Sequence, residues 1–446
     1  MNEKNMMTNY RWRICALVFF ATTINYLDRQ VISLLKPFLE EDGLFGADPL
    51  HYESIYANIV ICFQVAYASG MLLVGNIIDK WGTKKGYAFS LFGWSIAAIG
   101  HALAKGPVGF GIARAALGIP EAGNFPAANK TIAEWFPKKE RALATGIYNS
   151  GSNVGAIIAP LVVPVMAVLW GWQWAFIITG AIGLVWLFLW EVLYASPQRK
   201  LEKGKISQTE YEYILSDKDE TQIEVSKEKV SWFKLLSYRQ TWAFFLGKFL
   251  TDPIWWFFLF WLPAFLKEQY GLTGTQVSVP LAVLYTMTTV GSIFGGWLPK
   301  FFIEKGMDAN KARKTAMFIY ALFPLTVLSA QYLGSFNLWF AVIIIGIAAS
   351  AHQAWSANIF TTVSDMFPKK AVASVTGIGG MAGALGGILI ARAAGLLFDH
   401  FKAIGSITTG YGIMFVVCAV AYVIAWGLMH LLVPKFKQIT DIIIAR

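Results

Sequence analysis

Arg114 and Glu121 stand seven residues apart in an otherwise apolar run. On a helix that spacing places both on one face, about two turns or roughly 10 Å apart. Ionisable groups inside a membrane-crossing helix are costly, and they usually face a cavity and act there. The pair therefore sets a fixed cation and a titratable acid along one path; the structural alternative is an ion pair with a neighbouring helix. A second set lies at Asp28 and Arg29. Adjacent residues point about 100° apart, so these two need not pair with each other. The planar fork of arginine suits a carboxylate ligand because it can engage both oxygens. A carboxyl in a poorly hydrated cavity can exchange a proton near physiological pH, which makes Asp28 and Glu121 candidates for proton coupling.

Other polar groups recur at helical spacing. Lys248, Thr251, Asp252, Trp255 and Trp256 fall at offsets 0, 3, 4, 7 and 8, on one stripe. Lys248 and Asp252 can neutralise each other as an i,i+4 pair, or meet a ligand directly. Trp255 or Trp256 offers a flat apolar face for stacking, packing or anchoring at the lipid boundary. His352, Gln353, Trp355 and Asn358 lie within about two turns and supply donors and acceptors of the kind a polyhydroxylated ligand needs. Against that stands the commoner role of a membrane histidine, a hydrogen bond within the bundle. Tyr26, Tyr67, Asn149, Ser152 and Asn153 join the candidate binding set on the same reasoning. The run Gly377, Gly379, Gly380, Gly383, Gly386, Gly387 reads as a surface for close helix packing and sliding, not as a nucleotide loop, since no strand precedes it.

The elements that must carry these residues are membrane helices. Of 446 residues, 56% are hydrophobic and 14% charged, against roughly 25% charged in soluble domains. A bilayer core needs about 20 apolar residues per helix. Six spans are expected near 13–36, 52–78, 86–104, 107–133, 142–165 and 172–194, and six more near 241–266, 277–302, 314–333, 337–362, 372–397 and 409–433. The expected fold class is thus an all-α membrane protein of twelve spans, with halves at 1–195 and 239–446. The segment 196–238 forms a cytoplasmic linker containing a surface helix around Gln208–Ser216. The run after Arg13 reads as a retained first helix, not a cleaved signal.

The net charge of +10 comes from basic clusters in alternate loops, such as Lys80/Lys84/Lys85, Lys138/Lys139/Arg141 and Lys369/Lys370. That pattern reads as a topology signal placing both termini in the cytoplasm, not as a nucleic-acid surface. Cys15, Cys62 and Cys418 are scattered through apolar runs, and five histidines are dispersed, so neither a disulfide framework nor a metal site is expected. No GxxxxGK(S/T) loop is present to couple ATP, and no catalytic triad spacing stands out. An enzyme is not expected. A membrane sensor would need a soluble output domain that the linker and short tails do not supply.

Two six-span halves joined by a linker are the plan of repeat-built secondary transporters, whose sites lie near mid-membrane. The stretch Gly75-Asn-Ile-Ile-Asp79-Lys80-Trp-Gly82-Thr-Lys84-Lys85 resembles the GxxxD(R/K)xGxx(K/R) signature of the major facilitator superfamily, and Gly295-Gly296-Trp-Leu-Pro-Lys300 echoes it weakly in the second half. Within that superfamily the whole chain resembles the anion:cation symporters, and among them the hexuronate transporters. The resemblance rests on Asn25-Tyr26-Leu27-Asp28-Arg29, on Arg114 to Pro126, on Lys248 to Trp256, and on Ala351 to Asn358. It implies a monomeric importer in a bacterial inner membrane, moving a small sugar-acid anion by proton symport through alternating access, with no cofactor besides the proton. Arg29 and Arg114 then attract the sugar carboxylate, Glu121 and Asp28 carry the proton, and Gly75, Asp79, Lys80, Gly82, Lys84, Lys85, Lys248 and Asp252 serve gating. Some hexuronate transporters lack an acid at the Asp28 position, where the side chain would instead hold Arg29. An aldonate, aldarate or dicarboxylate cargo, or sodium coupling, are the alternatives.

Overall fold

Helices account for nearly all of the computed structural model, which describes residues 7–46, 48–216, 232–367, 369–436 and 439; no strand occurs among them. The expected first span is α1 (Tyr10–Glu41), and the second and third share α2 (Tyr52–Gly100). They bend apart at Gly82, whose φ of 79° and ψ of 162° suit glycine alone among the residues of that loop. The fourth span is divided into α3 (Pro107–Glu121) and α4 (Asn124–Trp135), where a single helix is expected. Pro120 lacks the N–H that would continue the ladder, and the break falls on Ala122–Gly123. Gly123 is pressed so close that a Cβ there would lie 2.3 Å from Ser90 Oγ. The fifth and sixth spans are α5 (Lys138–Trp170) and α6 (Trp172–Leu193).

Three short helices follow: α7 (Pro197–Glu202), α8 (Gln208–Leu215) and α9 (Trp232–Leu235). The charged residues 217–231 of the expected linker lie outside the described residues. The later spans are α10 (Arg239–Tyr270), α11 (Ser278–Glu304), α12 (Ala309–Leu322) with α13 (Ala330–Gly334), α14 (Leu338–Met366), α15 (Lys369–Ala403) and α16 (Ile407–Leu432). Nine described helices are long and apolar enough to cross a bilayer. Of the three expected spans outside that count, the first has its apolar run interrupted by Asn25, Asp28, Arg29 and Gln30, the third shares α2 with the second, and the fourth is divided. Large apolar side chains such as Leu73, Phe188, Val290 and Ile293 are exposed, as a lipid-facing surface requires.

The helices form two compact units. The first comprises described residues 7–32 and 62–216. Here α5 lies close against α1: a Cβ at Gly151 or Gly155 would sit 2.4 Å from the carbonyl oxygens of Phe19 or Thr23. The helix α8, expected at the surface, docks by one face and leaves Gln208, Thr209 and Glu212 exposed. Its Glu210 is fully buried and accepts the backbone N–H groups of Tyr10 and Arg11, both at 3.1 Å, which caps α1. Arg11 bridges Glu140 at 2.9 Å and Glu210 at 3.2 Å.

The second unit comprises residues 33–61 and the described residues from 232 onward. The last turns of α1 and the first of α2 are tied in by charge. Lys36, nearly fully buried, pairs with Glu53 and lies 3.3 Å from Glu40, which in turn meets Lys267 at 3.0 Å. Asp399 of α15 accepts the N–H groups of Glu53 and Ser54 at 2.9 and 3.0 Å, capping α2. The glycine run of α15 lets α10 approach closely: Cβ atoms at Gly383 and Gly386 would each fall 2.3 Å from α10 atoms.

Candidate transport site

In the first unit, α1 and α3 bring the two expected arginines and both expected acids together. Arg29, Arg114, Asp28 and Glu121 are exposed by only 3%, 1%, 2% and 0%. That decides against lipid-facing or solvated roles. Arg29 Nε donates to Glu121 Oε1 at 3.4 Å, and its Nη2 donates to Asn25 Oδ1 at 3.3 Å. Asn25 completes the ring by donating to the Glu121 carbonyl at 3.4 Å. Arg114 Nη2 donates to the Arg29 carbonyl at 3.3 Å. The break after Glu121 places this acid at the end of α3, where the backbone can approach Asn25.

Aromatic faces line the guanidinium groups. Arg29 lies 4.8 Å from the ring centres of both Tyr26 and Tyr67 and 5.4 Å from Phe63; Arg114 lies 5.6 Å from Phe63. Such faces hold a cation without neutralising it, so it keeps attraction for an anion. Glu121 Oε2 has no hydrogen-bond partner among the described residues. The Asp28 carboxyl lies beside the Thr179 hydroxyl and within the fields of Glu121 and Arg114. It makes no ion pair among the described residues, and neither oxygen closes a hydrogen bond of normal geometry.

The second unit gathers a different set. Lys248 Nζ lies 2.7 Å from Asp252 Oδ2 and 4.3 Å from the ring centre of Phe360. One turn on, Trp255 stacks on His352 with ring centres 5.4 Å apart and planes 6° apart. His352 Nδ1 is 2.7 Å from the Tyr422 hydroxyl, which donates in turn to the Thr251 carbonyl at 3.4 Å. Thr251 turns its own hydroxyl to the Gly247 carbonyl at 2.7 Å.

Several expected binding residues are occupied by packing. Asn358 donates to the carbonyls of Gly295 and Ala354 at 2.7 and 2.9 Å, which joins α14 to α11. Trp355 is fully buried with its edge against Tyr422. Trp256 stacks on Phe260, and Gln353 is half-buried. On α5, Asn149 is exposed, the Ser152 hydroxyl donates to its carbonyl at 2.7 Å, and Asn153 is buried. None of these three enters the Arg29 ring of contacts. In the loop signature, Lys84 pairs with Glu191 at 3.0 Å, Lys80 and Lys85 are exposed, and Gly75 is half-buried. The Asp79 side chain lies outside the description.

Sequence reasoning missed Asn25, Phe63, Thr179 and Tyr422. Phe63 had a signal, since it stands one turn before Tyr67 and stacks on it at 5.7 Å. Tyr422 had none, being one of two tyrosines in the apolar α16. A cavity of about 290 Å³ lined by Met287, Phe294, Tyr320, Ile347 and Ala354 offers no charged group to an anion.

The profile of the Major Facilitator Superfamily matches residues 18–391. The chain belongs to the major facilitator superfamily. It is 32% identical to the hexuronate transporter of Escherichia coli strain K12 over 412 residues, 92% of this chain and 91% of that one. It is 34% identical to the galacturonate transporter of Dickeya chrysanthemi over 293 residues, 66% and 82% of the two chains. Among solved structures it resembles a bacterial homologue of the human lysosomal transporter Spinster, with a TM-score of 0.74, 17% identity, and coverage of 98% of this chain and 100% of that chain. That likeness carries the fold alone; the profile and the curated relatives make the chain a multi-pass transporter of the superfamily, and not an enzyme.

Proposed function

We propose that this transporter imports hexuronate-type sugar acids together with protons. The observation that carries the reading is the buried Arg29–Glu121 pair with Arg114 beside it. Glu121 occupies the place a cargo carboxylate would take on Arg29. When Glu121 gains a proton it releases the guanidinium, and the sugar carboxylate replaces it on the two arginines. Bound anion and bound proton then stabilise each other, because either alone leaves a buried charge unmatched. Asp28, buried and unpaired, is a second place for a proton. Within the second unit, His352, Tyr422 and Trp255 form a neutral cluster of the kind that suits hydroxyls and an apolar ring face.

The relatives named for hexuronate and galacturonate support the cargo class. The remaining assignments follow the same reading: a monomer in a bacterial inner membrane, both termini cytoplasmic, no cofactor besides the proton, and the loop signature with Gly75, Asp79, Lys80, Gly82, Lys84 and Lys85 gating alternating access. The test is uptake of labelled glucuronate and galacturonate by cells producing the protein. The expected result is uptake that falls with rising external pH and collapses with a protonophore. Uptake that persists with a protonophore and follows external sodium contradicts proton coupling, and stronger competition by an aldonate or dicarboxylate contradicts the cargo.

A further inference from the structure

The apolar cavity of about 290 Å³ in the second unit lies between α11, the end of α12 and α14, and Met287, Val290, Phe294, Phe323 and Ile347 help to line it. Its mouth is on the lipid-facing surface, where Val290 is 66% exposed and Phe294 and Phe323 are exposed beside it. The hydroxyls nearby are turned into the protein. Tyr320 donates to the carbonyls of Phe294 and Gly295 at 3.1 and 3.2 Å, and Ser350 donates to the Gly346 carbonyl at 2.6 Å. A water molecule needs two to four polar partners, and these groups are already committed. A neighbouring helix, about 10 Å across, is too thick to enter.

A row of rings leads from the cavity to a basic end of α11. Phe294 stacks on Trp297 and Trp297 on Phe301, with ring centres 5.5 and 5.1 Å apart. Lys305 lies 5.4 Å from the ring centre of Phe301, and Lys300 is exposed and only loosely paired with Glu304 at 3.7 Å. On α12, Arg313 is taken by Asp365 and Lys314 by the Pro434 carbonyl at 2.7 Å, while Lys311 is exposed. Ten residues of helix separate Val290 from Lys300, about 15 Å. That matches the hydrocarbon depth of one leaflet, half of a core roughly 30 Å thick. We propose that this cavity binds one acyl chain of an anionic phospholipid whose phosphate rests on Lys300 and Lys305. The end of the chain fills the space between α11 and α14, Trp297 sits along its path toward the headgroup boundary, and the lysines select the charge. A zwitterionic lipid fills the cavity equally well but brings no net charge, so two lysines favour the anionic one by about tenfold or more.

The test uses the purified full chain and phosphatidylglycerol carrying a photoreactive diazirine at the end of one acyl chain. Cross-linked positions are read by peptide mass spectrometry, with unlabelled phosphatidylglycerol or phosphatidylcholine of the same chains as competitor. The expected result is saturable labelling at Met287, Val290 or Phe323, suppressed by about tenfold less phosphatidylglycerol than phosphatidylcholine. Labelling at Phe188, an exposed side chain of α6 in the first unit, reports bulk lipid and is expected to show no such preference. Val290→Trp closes the mouth and is expected to abolish cavity labelling while that at Phe188 persists; Val290→Phe serves the same end if the larger ring prevents folding. Lys300→Gln/Lys305→Gln is expected to keep the cavity labelling and lose the preference. Cavity labelling in wild type that does not saturate, or that both lipids suppress equally, overturns the proposal whatever the variants do. Undiminished cavity labelling in a folded Val290 variant, or an unchanged preference without the two lysines, overturns it as well.

Discussion

The two units hold their buried charges in opposite ways. Around α1 and α3, the restraints on Arg29 and Arg114 include the Arg29 carbonyl, the Asn25 side chain, aromatic faces and a long 3.4 Å contact with Glu121. Around α10 and α14, Lys248 is closed at 2.7 Å on its own carboxylate, one turn away on the same helix. A long contact between helices can be exchanged for a ligand, whereas a tight i,i+4 pair within one helix stays closed as the helix moves. The first unit thus holds its charge in an exchangeable contact, and the second holds its charge in a closed one.

Four substitutions sharpen or break that contrast. Arg114→Lys keeps the charge but loses the planar fork, and is expected to weaken uptake by about a hundredfold, equivalent to roughly 2.7 kcal/mol. Retention of near-normal uptake would place the carboxylate elsewhere. Lys248→Met leaves the half-buried Asp252 without its cation and is expected to destabilise the protein by about 2 kcal/mol, read as a lowered unfolding midpoint, while removing both charges restores most of it. Replacing His352 by Phe keeps the stack on Trp255 but removes the polar nitrogens; the apparent affinity for hexuronate is expected to fall about tenfold with maximal rate little changed. The smallest effect is expected for Asn358→Ala, about 0.6 kcal/mol of stability with competition profiles unaltered, since its amide bonds backbone carbonyls within the bundle.

Much of the fold was legible because bilayer thickness forces long apolar runs, and those runs can be read directly. The break in the fourth span had a local cause in Pro120, yet proline is common in membrane helices, where neighbours can re-satisfy the freed backbone groups. The docking of α8 was not legible: its polar sequence suits a surface, and the burial of Glu210 follows from a distant partner, the start of α1. Lys36, Glu53 and Asp399 likewise gave no sign of sharing one cluster, because they come from three different helices. In the first unit the arginines and acids were readable, as charges in apolar runs are rare and expensive. The expected hydroxyl-binding residues were harder. Asn358, Trp355, His352 and Trp255 look alike in sequence, and only the packing around each separates those occupied by the bundle from those in the polar cluster.

The most direct measurement is substrate-driven proton uptake into proteoliposomes, comparing wild type with Glu121→Gln. The account predicts that glucuronate drives proton entry in wild type. In Glu121→Gln that entry should vanish while exchange of labelled for unlabelled glucuronate continues, because the amide imitates the protonated acid and leaves Arg29 available. Proton entry that survives in Glu121→Gln would contradict the exchange of carboxylates on Arg29.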